Sequence, residues 1–481
     1  MIDTVLRPAR PVPRAGGLSV RTVVLAPAAL MLVLGVWGIR RGGTLWGDEA
    51  VTYDMAQRSL PEIWRTIASV DAVHGLYYVF MHAVFAVAEP GLVALRLPSV
   101  LAMCATAAGV ALIGRRLAGP RAGLLAGLVL PLLPVVQRYA QEGRSYALVC
   151  ALVTGGTLLL LRRRWGAYAA VMLAACLLHE FAVLTLAAHG VSLWWRPAAG
   201  RPDVPGAGSR RIPPRGWTAA ALGVTAALAP LAVFSTTQSG QVEWISSPKG
   251  GQLAAYAALA LLGWACALAP GGAAVRAVAL PLLVMPPALL LAVSYLHPLF
   301  VDRYVLPYVI GLTLLLGAVL DRCWSPVLAL ASAAAALATL ICFGPYLRSP
   351  ESRKSDVGAV AKVMAEAGRP GDGLLFTPAR RRAWTLLRPE AVGHLTDLSL
   401  KESRRASDTL YGTELSPAEI RARMLDHDGR LVVVQDLVGQ PLDAVEAEEV
   451  KREVLRTRFT LCEERTVSEA RVGVYARDGD C

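Results

Sequence analysis

Between Val20 and Phe343 the chain is written in long apolar blocks separated by short polar or Gly/Pro-rich intervals. That differs from the one-sided periodicity of helices that bury a single stripe in a soluble core. A helix needs roughly 20 mostly apolar residues to cross a bilayer, because hydrocarbon offers no partner to an open backbone N–H or C=O. The pattern therefore predicts about eleven spans, near 23–39, 97–114, 121–137, 145–161, 166–179, 181–195, 217–234, 252–269, 277–295, 304–320 and 326–343. The fold class expected is a polytopic α-helical membrane protein.

Two stretches break the pattern. Residues 40–95 form a long first loop that holds "DEAVTYDMAQRSLPEIWRTIAS", an amphipathic helix, and "GLYYVFMHAVFAVAE", apolar enough to lie in the interface. From Pro345 onward charges return, and "VGAVAKVMAEAG", "GDGLLFT" and "GRLVVVQD" alternate helix and strand character. These imply a small C-terminal α/β domain. The expected organisation is a tail at 1–22, a membrane module at 23–343 and the small domain at 344–481, with Arg196–Arg215 as a flexible Pro/Gly-rich loop.

Charge orients this arrangement. The formal net charge of +12 is not spread as a nucleic-acid-binding surface would need. Arginines gather in "GRRLAGPR", "RRRW" and "RPAAGRPDVPGAGSRRIPPR", alternating with loops poorer in them, which is the positive-inside pattern. The N-terminus is thus expected in the cytoplasm of a multi-pass plasma-membrane protein. The first block, followed by "GIRRGG" rather than a small-residue cleavage site, reads as a retained anchor. An odd number of spans puts the C-terminal domain on the extracytoplasmic side. The eight cysteines show no zinc or redox spacing and read as small core residues, except that Cys462 and Cys481 can pair if the tail meets an oxidising compartment.

On this topology the unexpected polar residues fall on one side. Asp48 and Glu49 open the first outer loop, with His74 and His82 later in it; "QRYAQEGRSYAL" forms the second outer turn, His179 and Glu180 the third, and "HPLFVDRYVLPY" the fifth. Ionisable groups at membrane depth are costly, so several loops bringing them to one face mark a site.

In this combination the chain resembles the GT-C glycosyltransferases, specifically the glycosyltransferase family 39-like bacterial mannosyltransferases, whose relatives include protein O-mannosyltransferases and lipid A aminoarabinose transferases. The resemblance rests on "WGDEAVTYDMA", "DAVHGLYYVFMH", "RYAQEGRSYAL" and "DRYVLPY", in that order over about the first 340 residues. It departs at "HGL" (His74 to Leu76), where similar sequences often carry His-Pro-Pro, which weakens a catalytic role for His74.

The resemblance implies an inverting transfer of a sugar from a polyprenyl phosphate to an acceptor hydroxyl at the outer membrane face, with mannose favoured. Asp48 is then the general base, and Glu49 orients the acceptor or Asp48, or helps hold a divalent metal. A leaving phosphate is best met by forked guanidinium donors, so Arg303 and Arg144 are the donor-phosphate candidates, with Arg138 third and Tyr304 and Tyr146 as hydroxyl donors. Asp302, Glu142 and Gln141 support these groups. His74, His179 and Glu180 are candidates for the acceptor or a metal. A divalent metal is the one cofactor the resemblance allows for, and none is certain. The partners expected are the lipid-linked donor, membrane lipid and a hydroxyl acceptor, whether protein, glycolipid or cell-wall glycan, and no nucleic acid. Rival readings are a transporter or flippase, which calls for repeats and midplane polar groups, and a glycan- or lipid-binding scaffold, which leaves the paired carboxylates unexplained.

Overall fold

The computed structural model of the protein describes residues 18–195, 214–238, 242, 245–268, 272–353, 355–440, 442–477 and 481. Most of the expected N-terminal tail and the expected flexible loop at 196–213 lie outside the described residues.

The helical body begins with α1 (Val20–Val36), and the first long loop follows as α2 (Gly47–Ala56), α3 (Leu60–Ser69) and α4 (Gly75–Val87). The single amphipathic helix expected at 48–69 is two helices. Ser59 and Glu62 form a capping box, each satisfying a backbone N–H at the start of α3, which makes Ser59 a helix boundary. Helix α5 (Leu92–Ala118) leads to α6 (Pro120–Val129) and α7 (Pro134–Ala140). The segments at Pro120–Leu132 and Pro134–Ala140 are bent by 67° where Pro131 and Pro134 remove two backbone donors. Next come α8 (Tyr146–Leu161), α9 (Trp165–Leu178), α10 (Leu184–Trp195), α11 (Arg215–Thr236), α12 (Gly250–Leu268), α13 (Ala273–Ser294), α14 (Tyr308–Arg322) and α15 (Pro326–Leu347).

Each of the eleven expected ranges overlaps a helix or the bent pair. Among the described residues six helices, α1, α5, α11, α12, α13 and α15, are long and apolar enough to cross a membrane, or up to seven if the bent pair is one span. The shorter helices α8 and α10, with 16 and 12 residues, are drawn into the body by packing rather than by reach. Close backbone approach holds the body together: a Cβ at Gly123 would stand 2.4 Å from the Ala111 carbonyl oxygen, so glycine there lets α5 and α6 touch.

The C-terminal domain opens with α16 (Val357–Ala367), whose first N–H groups are capped by Asp356. Its main sheet has the order β2-β1-β5-β7-β6, from β1 (Gly373–Thr377), β2 (Thr396–Asp397), β5 (Leu431–Gln435), β6 (Phe459–Val467) and β7 (Ala470–Arg477). The strands β3 (Leu400–Glu402) and β4 (Thr413–Glu414) form a separate pair. β1 is parallel to β2 and β5, whereas β7 is antiparallel to its neighbours. The runs "GLLFT" and "LVVV" are buried on both faces, as parallel central strands must be. One face packs Leu375, Leu431 and Val433 against α17 (Pro417–Asp426) and α18 (Glu446–Arg458), while Leu374, Phe376, Val432 and Val434 join the larger core that runs into the helical body. The backbone also bridges the two parts: Val357 N donates to Leu45 O at 2.9 Å and Gly47 N to Ser355 Oγ at 3.1 Å. Asp48 therefore starts a helix held from both sides.

Candidate functional site

The site forms where α2, the turn 141–145, the segment 302–305 and the C-terminal domain meet. Glu49 is fully buried. Its carboxylate accepts from Arg41 Nη2 at 2.6 Å, from Arg96 Nε and Nη2 at 2.8 and 2.7 Å, and from Gly143 N at 2.9 Å. Burial alone would push this carboxyl up, but Arg41 and Arg96 outweigh it and hold the group well below the usual carboxylate range. Arg96 also donates to Ile39 O at 2.7 Å and Thr44 O at 2.6 Å, so one guanidinium ties the end of the first span to α2.

Of the roles expected for Glu49, orienting Asp48 is the one these contacts fit. Both of its oxygens are occupied by the protein, so it is an anchor for the helix that carries Asp48, not a group presented to acceptor or metal. Arg96 was missed in the sequence, although an arginine within the apolar run "LVALRLPSV" is the kind of costly residue that signals a buried partner.

Asp48 next door remains partly open, with its side chain 31% exposed. Its Oδ2 lies 3.4 Å from Arg303 Nη2 and 3.9 Å from Arg144 Nη2. Arg303 donates through Nε to Tyr146 OH at 3.0 Å, and its guanidinium stands 5.6 Å from the ring centres of Trp46 and Tyr304. Asp302 orients this segment by accepting from Arg303 N at 2.9 Å and from Tyr139 OH at 3.2 Å. Arg144 is buried and donates from Nη1 to Thr52 Oγ1 and Tyr78 OH, each at 3.3 Å, while its Nε has no hydrogen-bond partner. The expected residues Asp48, Arg303, Arg144, Tyr146, Tyr304 and Asp302 are thus brought together from three separate stretches of chain.

An aromatic floor adjoins them. The His179 ring lies 4.6 Å from Tyr304 and 5.9 Å from His74, and Phe181 stacks on Tyr304 at 5.4 Å. His74 Nε2 stands 3.9 Å from Asp71 Oδ1, and Tyr78 donates to Asp71.

Other expected members face elsewhere. Glu180 accepts from Ser235 Oγ at 3.1 Å, on the side of α11. Gln141 donates to Gly35 O at 2.8 Å and Trp37 O at 2.6 Å, which fastens the end of α1. Glu142 is buried with Oε2 3.7 Å from Arg353 Nε, and the Arg138 carbonyl accepts from Arg353 Nη2 at 2.8 Å, contacts made at the joint with the C-terminal domain. His82 pairs with Ala56 O at 3.1 Å, and His297 is exposed. Among the described residues no three His, Cys, Asp or Glu side chains converge as metal ligands.

The C-terminal domain supplies a residue that the first 340 positions cannot reveal. Tyr411 packs against the core of the body, and burial together with nearby Asp71 and Asp48 pushes its phenol up to about 12. The strap that carries it is locked onto α2 and α3: Arg404 Nε lies 3.1 Å from Asp54, and Asp54 also accepts from Arg58 at 2.8 Å. Arg58 in turn donates to Thr409 O at 2.9 Å, and Arg65 pairs with Asp408 at 2.8 Å.

No family model matches the chain, and no curated protein matches its sequence. Solved structures do match. ArnT from Cupriavidus metallidurans bound to undecaprenyl phosphate aligns with a TM-score of 0.54 at 14% identity, over 96% of this chain and 99% of that one. The same protein in its apo state gives 0.56 at 14%, over 94% and 97%. An oligosaccharyltransferase from Archaeoglobus fulgidus aligns at 0.42 and 13%, over 86% and 68%. The chain thus has the fold of these ArnT structures, with a small C-terminal sheet domain, and its several long apolar helices make it a multi-pass membrane protein.

Proposed function

We propose that the protein is an inverting glycosyltransferase that moves a sugar, mannose favoured, from a polyprenyl-phosphate donor to an acceptor hydroxyl at the outer face of the plasma membrane. The observation that carries this reading is Asp48, a part-open carboxylate with Arg303 and Arg144 within 3.4 and 3.9 Å, where the first apolar span gives way to α2. One base and two forked cations are the parts that displacement at a glycosyl phosphate needs.

In the reaction, Asp48 takes the proton of the acceptor hydroxyl as its oxygen forms a bond to the anomeric carbon from the face opposite the phosphate. The anomeric C–O bond breaks, and polyprenyl phosphate leaves with both electrons. Arg303 and Arg144 offset the charge that grows on it, and Tyr146 keeps the Arg303 fork oriented. No step runs through a metal. The likeness to a structure that binds undecaprenyl phosphate supports the donor class. The pairing of Cys462 with Cys481 supports an extracytoplasmic C-terminal domain, since such bonds persist in oxidising compartments.

The test uses purified protein in lipid with a panel of radiolabelled polyprenyl-phosphate sugars and a membrane and cell-wall extract as acceptor. Label passing to an acceptor with wild type and not with Asp48→Asn is the result expected and identifies the sugar. If no donor is consumed or bound, the transferase reading fails.

A further inference from the structure

The order β2-β1-β5-β7-β6 contains a reversal. From β1 the chain moves to one side to make β2, and it later returns on the other side of β1 to make β5. Between two parallel strands whose connections leave in opposite directions, no loop covers the crevice beyond their carboxyl ends, and in open α/β sheets ligands bind there.

In this domain the crevice is a cavity of about 330 Å³, within the range of small-molecule sites. Thr377 and Pro378 follow β1, Gln435 and Asp436 end β5, and Arg452 and Arg471 close the sides. Val438 and Leu442 at the rim are 83% and 74% exposed.

The polar groups are already aimed. Arg471 Nε donates to Asp436 O at 2.9 Å, Arg452 Nη2 to Asp443 O at 2.7 Å, and Arg380 Nη2 to Asp436 Oδ2 at 2.7 Å. The Asp436 carboxylate accepts from Arg380 and Arg381 and that of Asp443 from Arg380, so the crevice mixes guanidinium donors with carboxylate and carbonyl acceptors. Sugar hydroxyls donate and accept and so can meet both kinds of group. The exposed Val438 and Leu442 suit the C–H face of a pyranose.

Place supports the same ligand. The turn Ala379–Thr385, which continues directly from the crevice, packs on α2, the helix that starts with Asp48. We propose that this crevice is an acceptor subsite that holds a neutral saccharide beside the catalytic helix. The proposal rests on the transferase reading and adds to it the chemical class of the acceptor.

The experiment uses the full chain in lipid nanodiscs with a panel of neutral manno-, arabino- and galacto-oligosaccharides, and inorganic phosphate as competitor, read by calorimetry. At least one oligosaccharide is expected to bind saturably and not to be displaced by phosphate. Its affinity should fall about tenfold in Arg452→Met and in Val438→Asp. Val438 is exposed, so that second variant keeps the fold. In transfer assays both variants should raise the acceptor KM with kcat unchanged. Absence of binding by every member, equal binding in wild type and both variants, or displacement by phosphate overturns the proposal. Binding is also measured in Asp48→Asn, where it should match wild type, so loss of the transferase reading and loss of the subsite give different results.

Discussion

Arg303 Nη2 lies 3.4 Å from Asp48 Oδ2, although 255 positions separate the two residues. With Arg144 at 3.9 Å on the same oxygen, two guanidiniums share one carboxylate at a partly open place. Under the proposed function, a donor phosphate that takes both forks would free Asp48 to act as a base.

Replacing Asp48 by Asn nearly preserves shape and removes the proton acceptor. Transfer should fall on the order of a hundredfold or more while polyprenyl phosphate still binds. Single-turnover transfer alongside donor binding checks this, and near-normal transfer would remove Asp48 from its role.

Arg303→Lys and Arg144→Lys keep the charge and lose the fork. The donor KM should rise about tenfold in each, with a further loss in kcat because the leaving group is less well stabilised. Steady-state kinetics with varied donor decide it, and unchanged donor kinetics would exclude the assignment.

Glu49→Gln leaves Arg41 and Arg96 buried without their counter-charge, at a cost of about 3–5 kcal/mol. The unfolding midpoint should drop in this variant and hold in Asp48→Asn. The folded Glu49 carboxyl sits below its ordinary value of 4.5, so its stabilising contribution is complete above that pH and is lost as the pH falls toward the folded value. Wild type should lose thermal stability below about pH 4.5 more steeply than Glu49→Gln does. Parallel acid slopes would contradict the anchor role.

Asp54 is buried between Arg58 and Arg404 and holds the strap of the C-terminal domain on α2. Asp54→Asn should open the strap to limited proteolysis near residues 403–412 and lower transfer with donor binding kept. Unaltered cleavage would show that the domain is held by its apolar contacts alone.

Cys462 and Cys481 are bonded to each other, so a membrane-impermeant maleimide added to intact cells should label them only after reduction. Labelling without reductant, or none after it, would contradict the extracytoplasmic placement.

Reading the chain in order recovers what depends on local composition. The apolar blocks coincide with helices, and the small sheet domain lies within the charged C-terminal stretch. The motifs "WGDEAVTYDMA", "EGRSY" and "DRY" pointed to residues that now stand in one cluster. The same reading put Glu49 beside Asp48 in function because they are adjacent in sequence. On a helix, consecutive residues point about 100° apart, and that rotation sends one carboxylate to solvent and the other to Arg96.

The sequence by itself determined a chain built for lipid, with a set of costly polar groups that required partners. Only the tertiary structure decided which partners they have. Arg96 is 47 positions from Glu49, Arg303 is 255 from Asp48, and Arg58 reaches Thr409 across 351. Such pairings depend on how helices and the C-terminal sheet pack together. Packing is a property of three-dimensional shape, which the order of residues along one strand of text does not display.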